Sequence, residues 1–158
     1  SVGVIYRYFP NIQSLLRALA SRNFDKYRAG LTATHNKRAT NALDALNVAI
    51  DIYIELCRTE PGFRVVSFGS IIDRRFTINR ASNNTALAEI LTDLLITTYG
   101  VPSSDSLMFD IEVTVEIADS LLERAFLYDP SGEEPFIHKL REFIAQLLVP
   151  HMKEAAAE

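Results

Sequence analysis

The acidic, imidazole and thiol side chains of this 158-residue chain offer two settings for chemistry. Glu134, His138 and Glu142 are spaced four residues apart, so a helix would present all three on one face, where carboxylate and imidazole groups are able to hold a metal ion. A solvated or interface face has the same pattern far more often, so we expect no metal. Cys57 lies in an apolar segment, where we expect a small core side chain rather than a reactive thiol.

Motifs of covalent catalysis and nucleotide binding are missing. The stretch Ser67-Phe68-Gly69-Ser70 only superficially suggests the G-x-S-x-G elbow of a serine hydrolase. The six glycines are scattered and form no phosphate-binding loop. The sequence therefore predicts no enzyme and no cofactor.

The composition is that of an ordered globular domain, with 48% apolar and 23% charged residues. No run of about 18 apolar residues occurs, so we expect no membrane-spanning helix. One cysteine cannot form an internal disulfide, and the first residues lack the pattern of an export signal. These features predict a cytoplasmic protein.

The net charge of −4 conceals a basic N-terminal quarter. Residues 1–40 contain one acid, Asp25, against seven cations, which gives 7 − 1 = +6 and leaves −10 for the remainder. The cations are Arg7, Arg17, Arg22, Lys26, Arg28, Lys37 and Arg38. A basic end on an acidic body suits contact with a polyanion such as DNA, although a solvated basic helix face has the same composition.

The hydrophobic spacing predicts an all-α fold, because period-two alternation is nowhere sustained. A short helix over residues 1–9 ends at Pro10, and Asn11 caps a second helix that runs to about Leu31. The next helix, residues 40–58, is apolar on nearly every side and should be buried. We interpret residues 63–79 as a loop and a short helix. Three further helices are predicted to start at Asn83 or Asn84, at Ser103 or Ser104, and at a capping box formed by Ser131 and Glu134.

The last two helices carry more apolar surface than one core requires. Such helices either cover only their own core or also pair with their symmetry copies as a four-helix bundle. The surplus of apolar surface favours pairing, so we predict a homodimer. A charge in that interface, as in an Ile144→Asp variant, should then split the dimer. The predicted interface residues are Leu121, Leu122, Ala125, Phe126, Ile137, Leu140, Ile144 and Leu148.

Apolar and aromatic residues are predicted to surround the buried helix of residues 40–58. A cavity for a small organic ligand is mostly apolar with a few polar groups, and an ordinary filled core has the same composition. Asp51 or Asp110 is a candidate polar anchor, although a solvated acid is the simpler interpretation. The predicted ligand-binding residues are Tyr53, Cys57, Phe68, Phe76, Leu91, Leu95, Phe109 and Val113.

The most specific motif occupies the first sixteen residues. It comprises a small hydroxyl residue, a glycine, a Tyr-x-Tyr-Phe sequence and, after a turn, a leucine pair: Ser1, Gly3, Tyr6, Tyr8, Phe9, Leu15 and Leu16. This order resembles the recognition helix and its exit in the TetR family of bacterial transcriptional repressors. Small residues let a helix approach DNA closely, tyrosine hydroxyls contact phosphates, and an arginine adds charge. The predicted DNA-binding residues are Ser1, Gly3, Tyr6, Arg7 and Tyr8.

The resemblance implies a TetR-like all-α homodimer that joins through a four-helix bundle of its last two helices. It also implies that operator DNA is released when a small, largely apolar effector enters the cavity, with the helix of residues 11–31 as the lever. Residues 1–30 would be the end of the DNA-binding domain with its connecting helix, and residues 31–158 the ligand-binding and dimerisation domain.

Two features depart from the family pattern. Ile12 and Gln13 stand where the family usually has lysine and then glutamate, which removes a phosphate contact. The chain also starts inside the recognition helix, without the two helices that support it in the family. We therefore expect the 158 residues alone to bind DNA weakly or not at all, and the full-length protein to bind an operator.

The alternative is a helical small-molecule-binding or dimeric adaptor protein that does not bind DNA. Its basic N-terminal stretch would be only a solvated face. A small α-helical enzyme is a third and more remote interpretation. Salt-dependent binding of operator DNA separates the regulator from the adaptor, because charged contacts to phosphates weaken as salt rises.

Overall fold

The computed structural model describes residues 7–60, 62–64 and 83–154, which contain five α-helices and no strand. These helices confirm the predicted all-α fold. None of them is both long and apolar enough to cross a membrane. The helices are α1 (Ile12–Arg38), α2 (Ala42–Thr59), α3 (Asn83–Tyr99), α4 (Asp105–Leu127) and α5 (Glu134–Glu154).

Part of the sequence-based interpretation lies outside the described residues. This applies to the loop and short helix predicted between residues 65 and 79 and to most of the helix predicted over residues 1–9. It also applies to three predicted DNA-binding residues and two predicted ligand-binding residues: Ser1, Gly3, Tyr6, Phe68 and Phe76.

Local polar side chains start the helices. The Ser14 amide donates to Asn11 Oδ1 at 2.9 Å, and the Leu107 amide donates to Ser104 Oγ at 3.0 Å. Both caps are as predicted, because a side-chain oxygen satisfies an amide that has no acceptor inside the helix. Asn41 caps α2 in the same way.

The predicted capping box before α5 is wrong. The Ser131 amide and hydroxyl both donate to Asp129 Oδ1, at 2.8 and 2.6 Å, and α5 begins only at Glu134. Asp129 thus organises the turn, since an aspartate side chain readily mimics a turn of backbone two residues ahead. Gly132 follows with φ +87°, in the left-handed region that glycine adopts without a steric penalty.

Helix α1 is longer than predicted and runs unbroken through the domain boundary placed between residues 30 and 31. Gly30 does not interrupt it. A Cβ atom at Gly30 would lie 2.8 Å from Ile52 Cγ2, so this glycine allows α1 to pack closely on α2. A continuous helix therefore joins the basic N-terminal end to the core.

Helix α2 is the centre of the fold and packs against each of the other four described helices. Side chains on all sides of it are buried, as its apolar sequence predicted. Helices α4 and α5 form an antiparallel pair, and α3 packs on α4. The five described helices thus pack around one core.

Candidate ligand cavity, outer helix face and DNA-facing end

A cavity lies where all five described helices meet. Its walls include Tyr27 from α1, Tyr53 from α2, Leu91 from α3, Leu122 from α4 and Ile144 from α5. The space open to the centre of a water-sized group is about 40 Å³, where a single water needs roughly 10–15 Å³. The cavity therefore suits a molecule of about one small ring.

One wall is aromatic. The rings of Tyr27 and Tyr53 meet edge to face with centroids 6.0 Å apart, and Tyr53 meets Phe63 in the same way at 5.2 Å. Burial raises the pKa of both phenols well above the ordinary value, because an apolar surrounding disfavours the phenolate. These tyrosines are neutral near pH 7 and provide a flat, uncharged surface for an apolar ligand.

Two of the cavity's polar residues are joined by a hydrogen bond at the α3–α4 contact. Asn84 Nδ2 lies 3.4 Å from Asp119 Oδ2 and 3.3 Å from Glu116 Oε1. Asn84 is only 3% exposed, and its Oδ1 atom has no hydrogen-bond partner within the part of the chain that the structure describes. An unpaired buried carbonyl oxygen is costly, so this atom is a candidate contact for a ligand.

Only some of the predicted ligand-binding residues line the cavity. Tyr53 and Leu91 line the cavity. Cys57 and Leu95 are buried in the core but are not among the cavity-lining residues. Phe109 and Val113 do not line it either, and the Phe109 side chain is 64% exposed.

Sequence reasoning missed Tyr27, Asn84 and Asp119 as cavity residues. A signal for Asp119 was present, because an acid there shares a helix face with the apolar residues Val115 and Leu122. Tyr27 and Asn84 could not be found in this way. Their position depends on how α1 and α3 pack on the other helices.

The candidate polar anchors lie elsewhere and tie helices together. Asp51 Oδ1 is 2.7 Å from the Arg141 guanidinium, which joins α2 to α5. Asp110 Oδ2 is 2.7 Å from His151 Nε2, which joins α4 to α5. Neither aspartate lines this cavity, so neither is placed to anchor a ligand bound there.

The two settings considered for chemistry lie in different surroundings, one exposed and one buried. His138 and Glu142 form an exposed pair at 3.2 Å, and no group of three potential metal ligands occurs among the described residues. Burial raises the pKa of the Cys57 thiol to about 12, although Arg64 and Arg58 act in the opposite direction. A thiol with such a pKa stays protonated near neutral pH and is a poor nucleophile.

The predicted dimer interface is mostly the core-facing side of α4 and α5. Seven of its residues are buried inside a single chain and are unavailable to a second copy, which corrects their assignment: Leu122, Ala125, Phe126, Ile137, Leu140, Ile144 and Leu148. Only Leu121 is half-buried and accessible. Both helices have two apolar sides, and the stripe chosen from the sequence is the one that packs inward.

A different apolar surface of this helix pair remains accessible, and we call it the outer stripe. On α4 its residues recur every four positions, and on α5 they follow a seven-and-four spacing. Phe109 is 64% and Phe143 41% exposed, and the others are half-buried. The Arg124 guanidinium lies 4.4 Å from the Phe136 ring centroid, which brings the two halves side by side. The outer stripe comprises Phe109, Val113, Ile117, Leu121, Phe136, Phe143 and Leu147.

The predicted DNA-facing end is described only from Arg7 onward. Arg7 and Tyr8 are exposed, Tyr8 to 72%, and so is Arg17 in the first turns of α1. Farther along, Lys26 pairs with Glu60. Exposed cations thus occur along the whole of α1, and those nearer its C-terminal end, Arg28 and Arg38, pair with Asp25 and Asp51.

Comparison with known proteins agrees with this architecture. Residues 40–152 match the family described as "Tetracyclin repressor-like, C-terminal domain". A crystal structure of a TetR-family transcriptional regulator from Streptomyces coelicolor is similar, with 31% sequence identity and a TM-score of 0.68. That similarity covers 96% of this chain and 80% of the Streptomyces coelicolor chain. A search of curated proteins gave no match.

The family match covers most of the chain, and it includes α2 to α5, which carry the outer stripe and all the cavity-lining residues except Tyr27. The structural match extends over α1 as well. Transcriptional regulators of this family are not enzymes. The chain belongs to the TetR family of transcriptional regulators.

Proposed function

We propose that the protein is a ligand-responsive repressor that releases operator DNA when a small, largely apolar effector occupies the cavity. One observation carries this proposal: α1 begins at the exposed, basic N-terminal end, and its residue Tyr27 lines the cavity. A single helix is therefore in contact with both sites. A ligand in the cavity acts on the same rigid element that carries the DNA-facing end.

Contacts along α1 support its role as the lever. Asn23 is fully buried, and its Nδ2 atom donates to the main-chain oxygen of Phe63 at 3.3 Å. Three residues farther on, Lys26 pairs with Glu60. These contacts join α1 to the chain directly after α2, so a displacement of the cavity's aromatic wall is transmitted to α1.

The effector shifts a balance between two arrangements of the protein. It favours release only if it binds the arrangement with mismatched recognition helices more tightly than the DNA-binding arrangement. A shift from 1:99 to 99:1 needs a preference of about 10⁴-fold. The close contacts between α1 and the cavity wall are a physical basis for such a preference.

We propose that the protein is a homodimer in which the outer stripe of one copy packs on that of a second copy. The stripe is apolar and accessible on the two helices that the family uses for dimerisation, and two antiparallel pairs make a four-helix bundle. A twofold axis through the bundle would set two recognition helices about one DNA turn apart. The setting is the bacterial cytoplasm, with no resident cofactor or metal.

The test is selection of duplexes from a random DNA pool by the protein carrying the two helices that precede the recognition helix in this family. We expect one palindromic sequence to be enriched, with an affinity that falls steeply between 50 and 200 mM salt, roughly 10³-fold for six phosphate contacts. The matched variant Arg7→Gln should bind the same sequence more weakly and with a smaller salt dependence.

An intact dimer that enriches no sequence would contradict the repressor and favour the helical adaptor. A protein that binds its operator but is never released by any cavity ligand would contradict only the ligand response. The two results are separate, because DNA binding is measured first without any ligand.

A further inference from the structure

We propose that the cavity selects an apolar ligand whose polar end donates a hydrogen bond, and that Asn84 Oδ1 is its acceptor. This inference rests on the proposed function, since it names the chemical class of the effector. It extends to hydroxyl-bearing ligands of about one ring and excludes carboxylates. The proposal stands on the geometry of one buried amide and its neighbours.

The two carboxylates beside Asn84 determine how its amide is oriented. Glu116 Oε1 and Asp119 Oδ2 lie 3.3 and 3.4 Å from Nδ2, and an ionised carboxylate accepts hydrogen bonds but cannot donate one. The reverse orientation would set the amide oxygen against both acids. The amide nitrogen therefore faces the acids, and the oxygen is directed away from them.

The amide oxygen is available to a ligand. Asn84 is 3% exposed and lines the cavity, and within the described ranges no protein group donates to its Oδ1. A buried carbonyl oxygen without a donor loses its hydration and gains nothing in return. A hydroxyl group on a ligand would supply the missing bond.

Two hydroxyl groups of the cavity and one carboxylate favour the same class of ligand. The Tyr27 hydroxyl donates to the main-chain oxygen of Ala49 at 3.1 Å, and the Thr114 hydroxyl donates to that of Asp110 at 2.7 Å. Both protons are thus already used within the protein. A ligand meets acceptor atoms and the carboxylate of Asp119, which repels an anion.

The test uses two probes of equal shape, 4-ethylphenol and 4-ethyltoluene, which differ only in a hydroxyl against a methyl group. Binding to the full 158-residue chain is measured by calorimetry in the absence of DNA. Asn84→Leu removes the acceptor, so it should weaken the binding of 4-ethylphenol relative to that of 4-ethyltoluene. We expect the ratio of the dissociation constant of 4-ethylphenol to that of 4-ethyltoluene to rise by about tenfold. Comparing ratios removes the difference in hydrophobicity between the probes.

Thr92→Val is the matched control. Thr92 lies on the same helix, is 6% exposed and has an unbonded Oγ1 atom in the described structure, but it does not line the cavity. Its substitution removes a buried polar group of similar cost and should leave the probe ratio unchanged. The carboxylate probe 4-ethylbenzoate should bind the unsubstituted chain at least about tenfold more weakly than 4-ethylphenol.

Several results would overturn the inference. An unchanged ratio in Asn84→Leu would mean that the amide oxygen bonds to a water or to nothing, and tighter binding of 4-ethylbenzoate would exclude the donor class. Absence of binding by all three probes would also reject it. If Asn84→Leu fails to fold, the Asn84 side-chain NMR signals of the unsubstituted chain decide: 4-ethylphenol should shift them and 4-ethyltoluene should not.

This test is independent of DNA. Suppose that the chain discriminates the probes through Asn84 but that its longer form binds no operator. The proposed ligand class then stands, and the proposed repressor function is rejected. If the protein binds operator DNA but binds none of the probes, the repressor function stands and the proposed ligand class is rejected.

Discussion

The Tyr27 hydroxyl donates a hydrogen bond to the main-chain oxygen of Ala49 across 3.1 Å, which joins α1 to α2 beside the cavity. Tyr27 is 4% exposed, and its ring packs edge-on against Tyr53. A polar contact and an aromatic contact therefore hold α1 against α2 beside the cavity. The helix that follows the exposed residues Arg7 and Tyr8 is thus positioned by the cavity's own wall.

Removal of this hydroxyl should weaken the fold modestly. Tyr27→Phe keeps the ring but leaves the buried Ala49 oxygen with one hydrogen bond fewer, so we expect the free energy of unfolding to fall by about 1 kcal/mol. Urea unfolding followed by circular dichroism measures it. Tyr128→Phe is the control, because Tyr128 is 78% exposed and its loss should be within error. Equal stability of Tyr27→Phe and the unsubstituted chain would mean that the bond contributes nothing.

Substitutions of two neighbouring residues of α5 should separate folding from the proposed dimerisation. Ile144 is 2% exposed and Phe143 is 41% exposed. Ile144→Asp would bury an unpaired charge and should unfold the chain rather than split a folded dimer, with a loss of about 3 kcal/mol or more. Phe143→Asp should leave the helices intact and give a monomer in sedimentation velocity. A stable dimer in Phe143→Asp would show that the outer stripe is not the interface.

The turn between α4 and α5 should not tolerate a side chain at Gly132. Its φ is +87°, and a Cβ atom there would lie 2.8 Å from Phe126 Cζ and 3.2 Å from Ile137 Cδ1. Gly132→Ala thus adds overlap to backbone strain, and we expect a loss of about 2–4 kcal/mol in the free energy of unfolding.

The matched control for this turn is Gly100→Ala. Gly100 has φ +66°, but a Cβ atom added there would have no neighbouring atom within 4 Å, so only the backbone contribution of about 1 kcal/mol applies. Thermal unfolding of both variants compares them. Equal losses would mean that the Phe126 ring moves aside at no cost.

Alkaline pH should destabilise the protein through Cys57. Burial raises the folded-state pKa of this thiol to about 12, whereas the unfolded thiol ionises with its ordinary pKa of 9.0. Between these values the unfolded chain has released its proton and the folded chain has not, so stability falls as pH rises above about 9. The thiol contributes up to about 1.4 kcal/mol per pH unit in this window.

The variant Cys57→Ala tests whether the Cys57 thiol causes this loss of stability at alkaline pH. The variant loses core packing at every pH, but its stability should decline less steeply than that of the unsubstituted chain between about pH 9 and pH 11, as measured by urea unfolding at each pH. Some decline should persist, since burial also raises the pKa of Tyr27 and Tyr53. A pH profile parallel to that of the unsubstituted chain would mean that the Cys57 thiol ionises equally in both states.

Sequence patterns predicted those features that depend on neighbours along the chain. The caps at Asn11 and Ser104 and the glycine after α3 follow from hydrogen bonds that span a few residues. The burial of α2 followed from its composition, because a helix that is apolar on all sides is stable only inside a fold. The TetR-family motif at residues 1–16 is also local, and it predicted the family that the comparisons confirm.

Only the tertiary structure decided which apolar stripe faces the core. The inward residue Leu122 and the outer-stripe residue Leu121 are equally apolar neighbours, and the rotation of α4 against α5 buries one and leaves the other accessible. Asn84 illustrates the same point. Its sequence position suggested a helix cap, whereas packing of α3 on α4 buried its amide beside two acids. Periodicity determines that a helix has faces, but the distribution of neighbours in space determines what each face contacts.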